Sequence, residues 1–132
     1  MKYLLDTHII LWALINDSRI DKKTHDILIN PKNEILYSSI SSWEIALKHR
    51  KKENFRLSED QFVFLCDQNG LNSLSVSNKH ICELKNIVKT KDIKHNDPFN
   101  LMLLAQAISE NAMFITHDNK FKAYDNKNII II

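Results

Sequence analysis

The chain has 132 residues, of which 44% are hydrophobic and 26% charged, and its formal net charge is +2. These are globular values, so disorder is excluded as the dominant state, and any nucleic-acid binding must come from a local patch. The single glycine, Gly70, excludes a P-loop and a GxGxxG dinucleotide loop, because each of these needs several glycines.

Apolar residues recur in a pattern that predicts strands alternating with helices along the whole chain. The predicted strands cover residues 3–5, 34–37, 71–76, 112–116 and 129–132. The predicted helices cover residues 9–15, 21–30, 41–52, 58–69, 77–88 and 98–111, a short helix or turn covers 118–124, and a polar loop covers 89–96. This alternation is typical of an α/β fold with a parallel sheet covered on both faces, in a single domain over residues 1–132.

The expected compartment is the reducing cytoplasm. The N-terminus has no signal peptide, and no apolar run is long enough to span a membrane. The two cysteines, Cys66 and Cys82, show no spacing typical of a zinc site, and we expect both to be buried thiols.

Acidic residues lie near the predicted carboxyl ends of strands, where open α/β sheets form their sites. Asp6 ends the first strand, Glu44 lies in the first turn of the predicted helix 41–52, and Asp118 follows the strand that ends at Thr116. Asp97 begins the helix that precedes that strand. We therefore expect these side chains to meet at one edge of the sheet.

Each of these acids also has a purely structural explanation. Asp97 stands before Pro98 as a helix N-cap, and Glu44 completes a capping box that begins at Ser41. Asp118 can cap the short helix that follows it, and Asp6 can begin a turn. A functional site is therefore inferred from the four acids together and not from any one of them alone.

Carboxylates that converge must be neutralised. Two of them about 4 Å apart repel by roughly 4 kcal/mol at an effective dielectric constant of about 20. Either some are protonated or a cation binds, and all-oxygen ligands favour Mg²⁺ or Mn²⁺ over zinc. Such an ion can activate water for attack on a phosphodiester.

Four segments carry a resemblance to a known family. They appear in that family's order and cover nearly the whole chain: Leu4-Leu5-Asp6-Thr7-His8 with Leu11-Trp12, Ser41-Ser42-Trp43-Glu44-Ile45-Ala46-Leu47-Lys48, His95-Asn96-Asp97-Pro98-Phe99-Asn100 with Leu103-Leu104-Ala105-Gln106-Ala107, and Phe114-Ile115-Thr116-His117-Asp118. The chain resembles the PIN-domain nucleases, specifically the VapC-like toxins of toxin–antitoxin pairs.

The resemblance implies a PIN-like three-layer α/β/α fold and Mg²⁺-dependent cleavage of RNA. It also implies inhibition by a cognate antitoxin protein, in a homodimer or a toxin–antitoxin hetero-oligomer. By motif position, Asp6, Glu44 and Asp118 match the family's acidic residues. The family usually has a further aspartate, expected to bind metal, where this chain has Asn100. Asn100 can offer a neutral carbonyl oxygen, or Asp97 can take over, and the motif leaves the two open.

Several neighbouring residues are candidates for supporting roles. Thr7 and Thr116 are predicted to orient carboxylates or water by hydrogen bonding. The basic run that contains Lys48, Arg50 and Lys51 either binds RNA phosphates or is a solvated helix end that complements the helix dipole. Lys48 is also spaced for an ion pair with Glu44, four residues earlier.

Histidines and tryptophans also lie next to the motifs. His8, His95 and His117 each neighbour an acid, and could move protons or bind phosphate, although a supporting or exposed position is the commoner use. Trp12 and Trp43 are expected to be core or interface anchors rather than platforms for base stacking.

Two other functions compete with the nuclease. A phosphohydrolase with Asp6 as nucleophile would need a second aspartate two residues later, where this chain has His8. The other alternative is a degenerate PIN module that binds antitoxin or RNA without cleaving it, and Asn100 is the residue in its favour.

Overall fold

The computed structural model describes residues 1–51, 55–88 and 97–132. Within these ranges, five strands alternate with helices: β1 (Lys2–Leu5), β2 (Glu34–Ser38), β3 (Asn72–Leu74), β4 (Met113–Thr116) and β5 (Ile129–Ile131). The helices are α1 (Thr7–Leu14), α2 (Lys22–Ile29), α3 (Ser39–Lys51), α4 (Glu59–Gln68), α5 (Asn78–Glu83) and α6 (Pro98–Ser109), with 3₁₀ turns at Leu84–Asn86 and Asn119–Ala123. The predicted loop 89–96, with His95, and the predicted helix end at Lys52 lie outside the described residues.

The strands form one parallel sheet in the order β3-β2-β1-β4-β5, with β1 at its centre. Alternate residues of β1 point to opposite faces, as strand geometry requires. Leu5 packs in a core with Ile9 and Phe62, from α1 and α4. Leu4 packs on the other face with Leu104 of α6. The predicted α/β/α fold with a central parallel sheet is confirmed.

Local capping sets several helix ends where the sequence predicted them. The side chain of Asp97 accepts the amide hydrogen of Phe99 at 2.9 Å, with Pro98 in the first turn of α6. Asp118 caps the following 3₁₀ turn in the same manner. Gly70 follows α4 with φ of 78°, the left-handed conformation that favours glycine at this position.

Two helices begin earlier than predicted because strands run into them without a loop. Helix α1 begins at Thr7 rather than Ile9, with Asp6 as its N-cap. Helix α3 begins at Ser39, and the hydroxyl of Ser38 accepts the amide hydrogen of Ile40 at 3.0 Å. Ser41 is therefore inside the helix, and the predicted capping box between Ser41 and Glu44 is wrong. Glu44 lies in the second turn of α3.

The remaining differences concern short elements. The predicted strand 71–76 is limited to β3, and the predicted helix 77–88 ends as an α-helix at Glu83. Cys66 is buried as predicted, but Cys82 is exposed. Helix α5 buries the face that carries His80, and both Ile81, which is 47% exposed, and Cys82 lie on its exposed side. Within the described ranges, no helix is both long and apolar enough to cross a membrane.

Candidate active site

Asp6 lies at the carboxyl end of the central strand and is only 7% exposed. Its amide donates to the carbonyl of Ile115 at 2.9 Å, which fixes it beside the end of β4. Its Oδ2 accepts a hydrogen bond from the Thr116 hydroxyl at 2.6 Å, and its Oδ1 accepts one from the amide of Thr7 at 2.8 Å. The sheet therefore holds this carboxylate in one orientation.

Burial is the largest influence on Asp6 and raises the pKa of its carboxyl. The hydrogen bonds from Thr116 and Thr7 lower the pKa but do not reverse the shift. The negative charge of Asp118 raises the pKa further, whereas His8 lowers it. Asp6 is thus poised to take up a proton or a cation.

Glu44 reaches the same edge from α3. Its Oε1 accepts a hydrogen bond from the Thr7 hydroxyl at 2.9 Å, and the Thr7 and Ser41 hydroxyl oxygens are 2.8 Å apart. Because the single hydroxyl hydrogen of Thr7 goes to Glu44, Ser41 must be the donor to Thr7. Thr7, which directly follows Asp6 in the chain, thereby links α1 to α3.

The pKa of Glu44 is raised, first by burial and then by the charges of Asp6 and Asp97. The hydrogen bond from Thr7 and the charge of Lys48 lower the pKa but do not offset these effects. The carboxylates of Asp6 and Asp97 therefore lie close enough to Glu44 to repel its charge, although both residues are remote from α3 in sequence.

Asp118 and Asn100 form the third part of the edge. The Asn100 amide nitrogen lies 3.3 Å from Oδ2 of Asp118 and donates to it. The backbone amide of Asp118 donates to the hydroxyl oxygen of Thr116 at 3.1 Å. Thr116 therefore connects Asp6 and Asp118 directly, and Asn100 continues this chain of hydrogen bonds to the start of α6.

Asp97 has a different environment from the other acids. Its side chain is exposed, and its Oδ1 accepts from the amides of Phe99 and Asn100 at 2.9 and 3.4 Å as the cap of α6. It acts on its neighbours by charge: after burial, the charges of Asp97 and Asp118 raise the pKa of Tyr124. The structure thus gives Asp97 a capping role at the border of the acidic group.

Every acid proposed from the sequence lies at this edge. Hydrogen bonds join two sets, one of Ser41, Thr7 and Glu44 and the other of Asp6, Thr116, Asp118 and Asn100. The amide of Thr7 joins the two sets through Asp6. Even so, no three His, Cys, Asp or Glu side chains of the described ranges are grouped closely enough to form a metal site on their own.

Ser41 is a site residue that the sequence assigned to capping. It is fully buried against Thr7 rather than at the end of a helix. Its spacing from Glu44 contained the relevant signal, because residues three apart in a helix share a face. Ser41 and Glu44 therefore lie on the same face of α3, and the Thr7 hydroxyl forms hydrogen bonds with both side chains.

The basic residues divide into one near the acids and others farther along α3. Lys48 is half-buried, and its charge lowers the pKa of both Glu44 and His8. The predicted ion pair is absent, since Lys48 and Glu44 do not come within 4.0 Å among the pairs of the described residues. Arg50 and Lys51 are exposed in the last turn.

The pKa of His8 is lowered, and burial is the largest cause. His117 is exposed, and its Nδ1 contacts the carbonyl of Ile132.

The two tryptophans lie in contrasting positions. Trp12 is 8% exposed, and the Arg19 guanidinium carbon lies 4.4 Å from the centre of its ring. Trp43 is 55% exposed and contacts Phe99 edge-to-face with ring centres 4.7 Å apart. Trp12 is therefore a core residue, and Trp43 is a surface residue next to Glu44 in sequence.

A cavity of about 870 Å³ lies between α1 and α2 and is separate from the acids. Its lining includes Ile10, Leu14, Ile20 and Leu28, and none of the acids proposed for the site. The acidic edge is therefore not part of this cavity.

Comparison with protein-family models gives a match to the PIN domain over residues 3–127. Comparison with curated proteins gives no match.

Three solved structures with a similar fold are described as VapBC. VapBC2 from Rickettsia felis, bound to a DNA fragment from its promoter, has a TM-score of 0.71 and 23% sequence identity. The match covers 100% of this chain and 98% of that chain. VapBC-1 from nontypeable Haemophilus influenzae has a TM-score of 0.63 and 23% identity, over 91% and 89%. DNA-bound VapBC from Salmonella typhimurium has a TM-score of 0.64 and 15% identity, over 100% and 97%. At these identities the likeness concerns the fold.

Proposed function

Because the chain belongs to the PIN-domain family, we propose that it is a metal-dependent endoribonuclease that acts as the toxin of a toxin–antitoxin pair. The observation that carries the proposal is the acidic edge, where hydrogen bonds through Thr7 and Thr116 link Asp6, Glu44 and Asp118 although they come from distant parts of the chain. We also propose that residues 1–132 form a single PIN-like domain.

The donor set at this edge fits a hard divalent cation. Asp6 and Glu44 are desolvated carboxylates with raised pKa values; the charge of Asp118 adds to the shift of Asp6, and the charges of Asp6 and Asp97 add to that of Glu44. Mg²⁺ usually keeps several waters and binds through one or two carboxylates, so it does not need a closed group of protein ligands. We assign Asp6, Glu44 and Asp118 as the residues that would hold Mg²⁺, or Mn²⁺ in its place.

Each polar neighbour has a distinct part in this proposal. When bound, the cation would activate water and stabilise charge on the phosphodiester. Thr116 and Thr7 orient the carboxylates of Asp6 and Glu44 through hydroxyl donors at 2.6 and 2.9 Å. Asn100 holds Asp118 by donating its amide hydrogen, and Asp97 contributes charge.

The substrate and partners are proposed from chemistry and similarity together. Lys48 lies near enough to the acids to lower the pKa of Glu44. A cation there, with Arg50 and Lys51 farther along α3, would offset the repulsion between bare carboxylates and RNA phosphates. The similar solved structures are described as VapBC complexes, which supports a cognate antitoxin as partner, in a homodimer or a hetero-oligomer.

The alternative is a degenerate module that binds antitoxin or RNA without cleavage. One observation favours it: the position where the family usually has a further aspartate holds Asn100, whose amide nitrogen faces Asp118. Such a protein would have one charge fewer with which to attract a cation.

The deciding experiment is RNA cleavage by purified chain freed of antitoxin, with and without Mg²⁺, followed by sequencing of the new ends. We expect Mg²⁺-dependent cleavage that is lost in Asp6→Asn. The matched control is Asp26→Asn, which removes an exposed acid of α2 paired with Lys22 at 3.5 Å. Equal cleavage by Asp6→Asn and the parent would contradict the assignment, and binding without cleavage would support the alternative.

A further inference from the structure

A buried series of polar side chains lies behind the acidic edge and connects the start of α3 with α6 and α5. Ser38, Gln106 and His80 are each at most 2% exposed. The Ser38 hydroxyl donates to Oε1 of Gln106, and Nε2 of Gln106 lies 3.5 Å from Nδ1 of His80. The series ends at the surface, where Nε2 of His80 is 2.8 Å from Oε2 of Glu110.

The contacts define which atoms carry the hydrogens. The Ser77 backbone amide can only donate, so Nδ1 of His80, 3.1 Å away, must accept. Because Oε1 of Gln106 accepts from Ser38, its amide nitrogen also points a hydrogen toward Nδ1 of His80. His80 therefore carries its hydrogen on Nε2 and donates to Glu110. This hydrogen bond is the largest cause of the lowered pKa of Glu110.

Ser38 stands where β2 passes into α3 without a loop. Its hydroxyl oxygen accepts the amide hydrogen of Ile40 at 3.0 Å, in the first turn of α3, while its hydrogen goes to Gln106. The direction in which α3 leaves the sheet is thus tied to α6. Helix α3 carries Glu44, and helix α6 carries Asn100 in its first turn.

The Gln106 side chain lies in an apolar part of α6, so packing alone does not require an amide at this position. Its neighbours in sequence, Leu104, Ala105 and Ala107, are completely buried apolar residues. An apolar side chain of similar length could fill the same space, and a buried amide is tolerated only when its hydrogen bonds are made. The amide's distinctive effect is to connect Ser38 with His80.

We propose that Gln106 is a positioning residue, held in orientation by His80, that fixes α3 against α6 so that Glu44 reaches Thr7 at the acidic edge. The inference rests on the proposed function for its consequence in catalysis. Its geometric content, the dependence of the bond between Thr7 and Glu44 on Gln106, is independent of that function.

The test compares Gln106→Met with Ser109→Ala. Methionine preserves length and apolar contacts but makes neither hydrogen bond. Ser109 lies on the same helix, and its buried hydroxyl has no hydrogen-bond partner among the described residues, so its removal is a matched control. For Gln106→Met we expect kcat for RNA cleavage and Mn²⁺ affinity of the RNA-free protein to fall about 10- to 100-fold, with KM for RNA unchanged. Ser109→Ala should match the parent.

Two further measurements separate positioning from general damage. Ser38→Ala and Gln106→Met should lower kcat by no more together than the larger single effect, because both variants remove the same hydrogen bond, the one between Ser38 and Gln106. A crystal structure of Gln106→Met should show Glu44 withdrawn from the Thr7 hydroxyl, to which it is bonded at 2.9 Å in the parent. If Gln106→Met does not fold, Ser38→Ala alone is measured in the same ways.

The outcomes are distinguishable from those that test the nuclease. A folded Gln106→Met with parental kcat and Mn²⁺ affinity, or with the bond between Thr7 and Glu44 intact, would overturn the inference. If the parent neither binds Mn²⁺ nor cleaves RNA, the proposed function fails, and the crystal structure still decides the geometric claim. Nitrogen NMR of the parent must also find the His80 hydrogen on Nε2, since a hydrogen on Nδ1 would refute the role given to His80.

Discussion

The two halves of the acidic edge are built differently. Asp6 follows the central strand, is 7% exposed, and has both carboxylate oxygens hydrogen-bonded to neighbours placed by the sheet. Asp97 lies at the exposed start of a helix and uses one oxygen to cap it. In the sheet half, burial raises the pKa of Asp6, whereas the helix half supplies the neutral amide of Asn100 and the capping carboxylate of Asp97. We therefore expect the proposed cation binding to depend mainly on the sheet half.

The strongest test of this comparison is Thr116→Val, which keeps side-chain shape and removes the hydroxyl. Asp6 would lose its 2.6 Å hydrogen bond, and the amide of Asp118 would lose its acceptor. We expect kcat for RNA cleavage to fall about 10- to 100-fold. Thr24→Val, at a buried threonine of α2 that is 2% exposed, is the control. Parental cleavage by Thr116→Val would refute a special role for the sheet half.

Asn100→Asp sharpens the comparison by adding charge to the helix half. A carboxylate would replace the amide nitrogen that lies 3.3 Å from Asp118. Without metal, repulsion should lower the melting temperature. With Mg²⁺, we expect about tenfold tighter binding, because affinity rises with the charge of the ligands. Melting curves in EDTA and in Mg²⁺ measure both effects, and the same direction of change in the two conditions would contradict this account.

Stability against pH in metal-free protein separates the buried acids from ordinary surface acids. Asp6 and Glu44 have folded pKa values raised above 3.8 and 4.5. The folded state therefore binds their protons more tightly, so their contribution to stability is full below the unfolded pKa values and is lost as pH rises through the raised folded values. In Asp6→Asn, urea unfolding should show a smaller loss of free energy of unfolding over this range.

The carboxyl of Asp21 has a lowered pKa and therefore changes stability with pH in the opposite direction to Asp6 and Glu44. Its pKa is lowered by its hydrogen bonds with Thr24, so its stabilising contribution is present above the unfolded pKa and is lost as pH falls through the folded value. Asp21→Asn should therefore reduce the loss of stability in acid. The same direction of change in both variants would show that Asp6 is not destabilised by burial.

The smallest effect is expected for Asp97→Ser, because serine also caps helices. We expect cleavage within about twofold of the parent, whereas Asp97→Ala should cost about 1 kcal/mol of stability through loss of the cap. Cleavage assays and urea unfolding measure the two effects. A loss in Asp97→Ser as large as in Asp6→Asn would instead mark Asp97 as a residue that binds the cation.

The alternation of strands and helices and the parallel sheet could both be predicted from the amino-acid sequence, because they follow from the local spacing of apolar residues. The caps at Asp97 and Asp118 and the role of Gly70 after the end of α4 were also predictable, since each depends on neighbours within three residues. The placement of acids after strands followed from the same local pattern, as parallel strands end at one edge.

The pairing of the polar side chains, by contrast, could not be predicted from the sequence. The bond between Thr116 and Asp6 joins residues 110 apart, and the bond between Ser38 and Gln106 joins residues 68 apart. No local spacing encodes such contacts. For the same reason Ser41 was predicted to cap α3, although the structure places it inside the helix against Thr7. Hydrogen bonds between distant segments exist only after the sheet has brought those segments together.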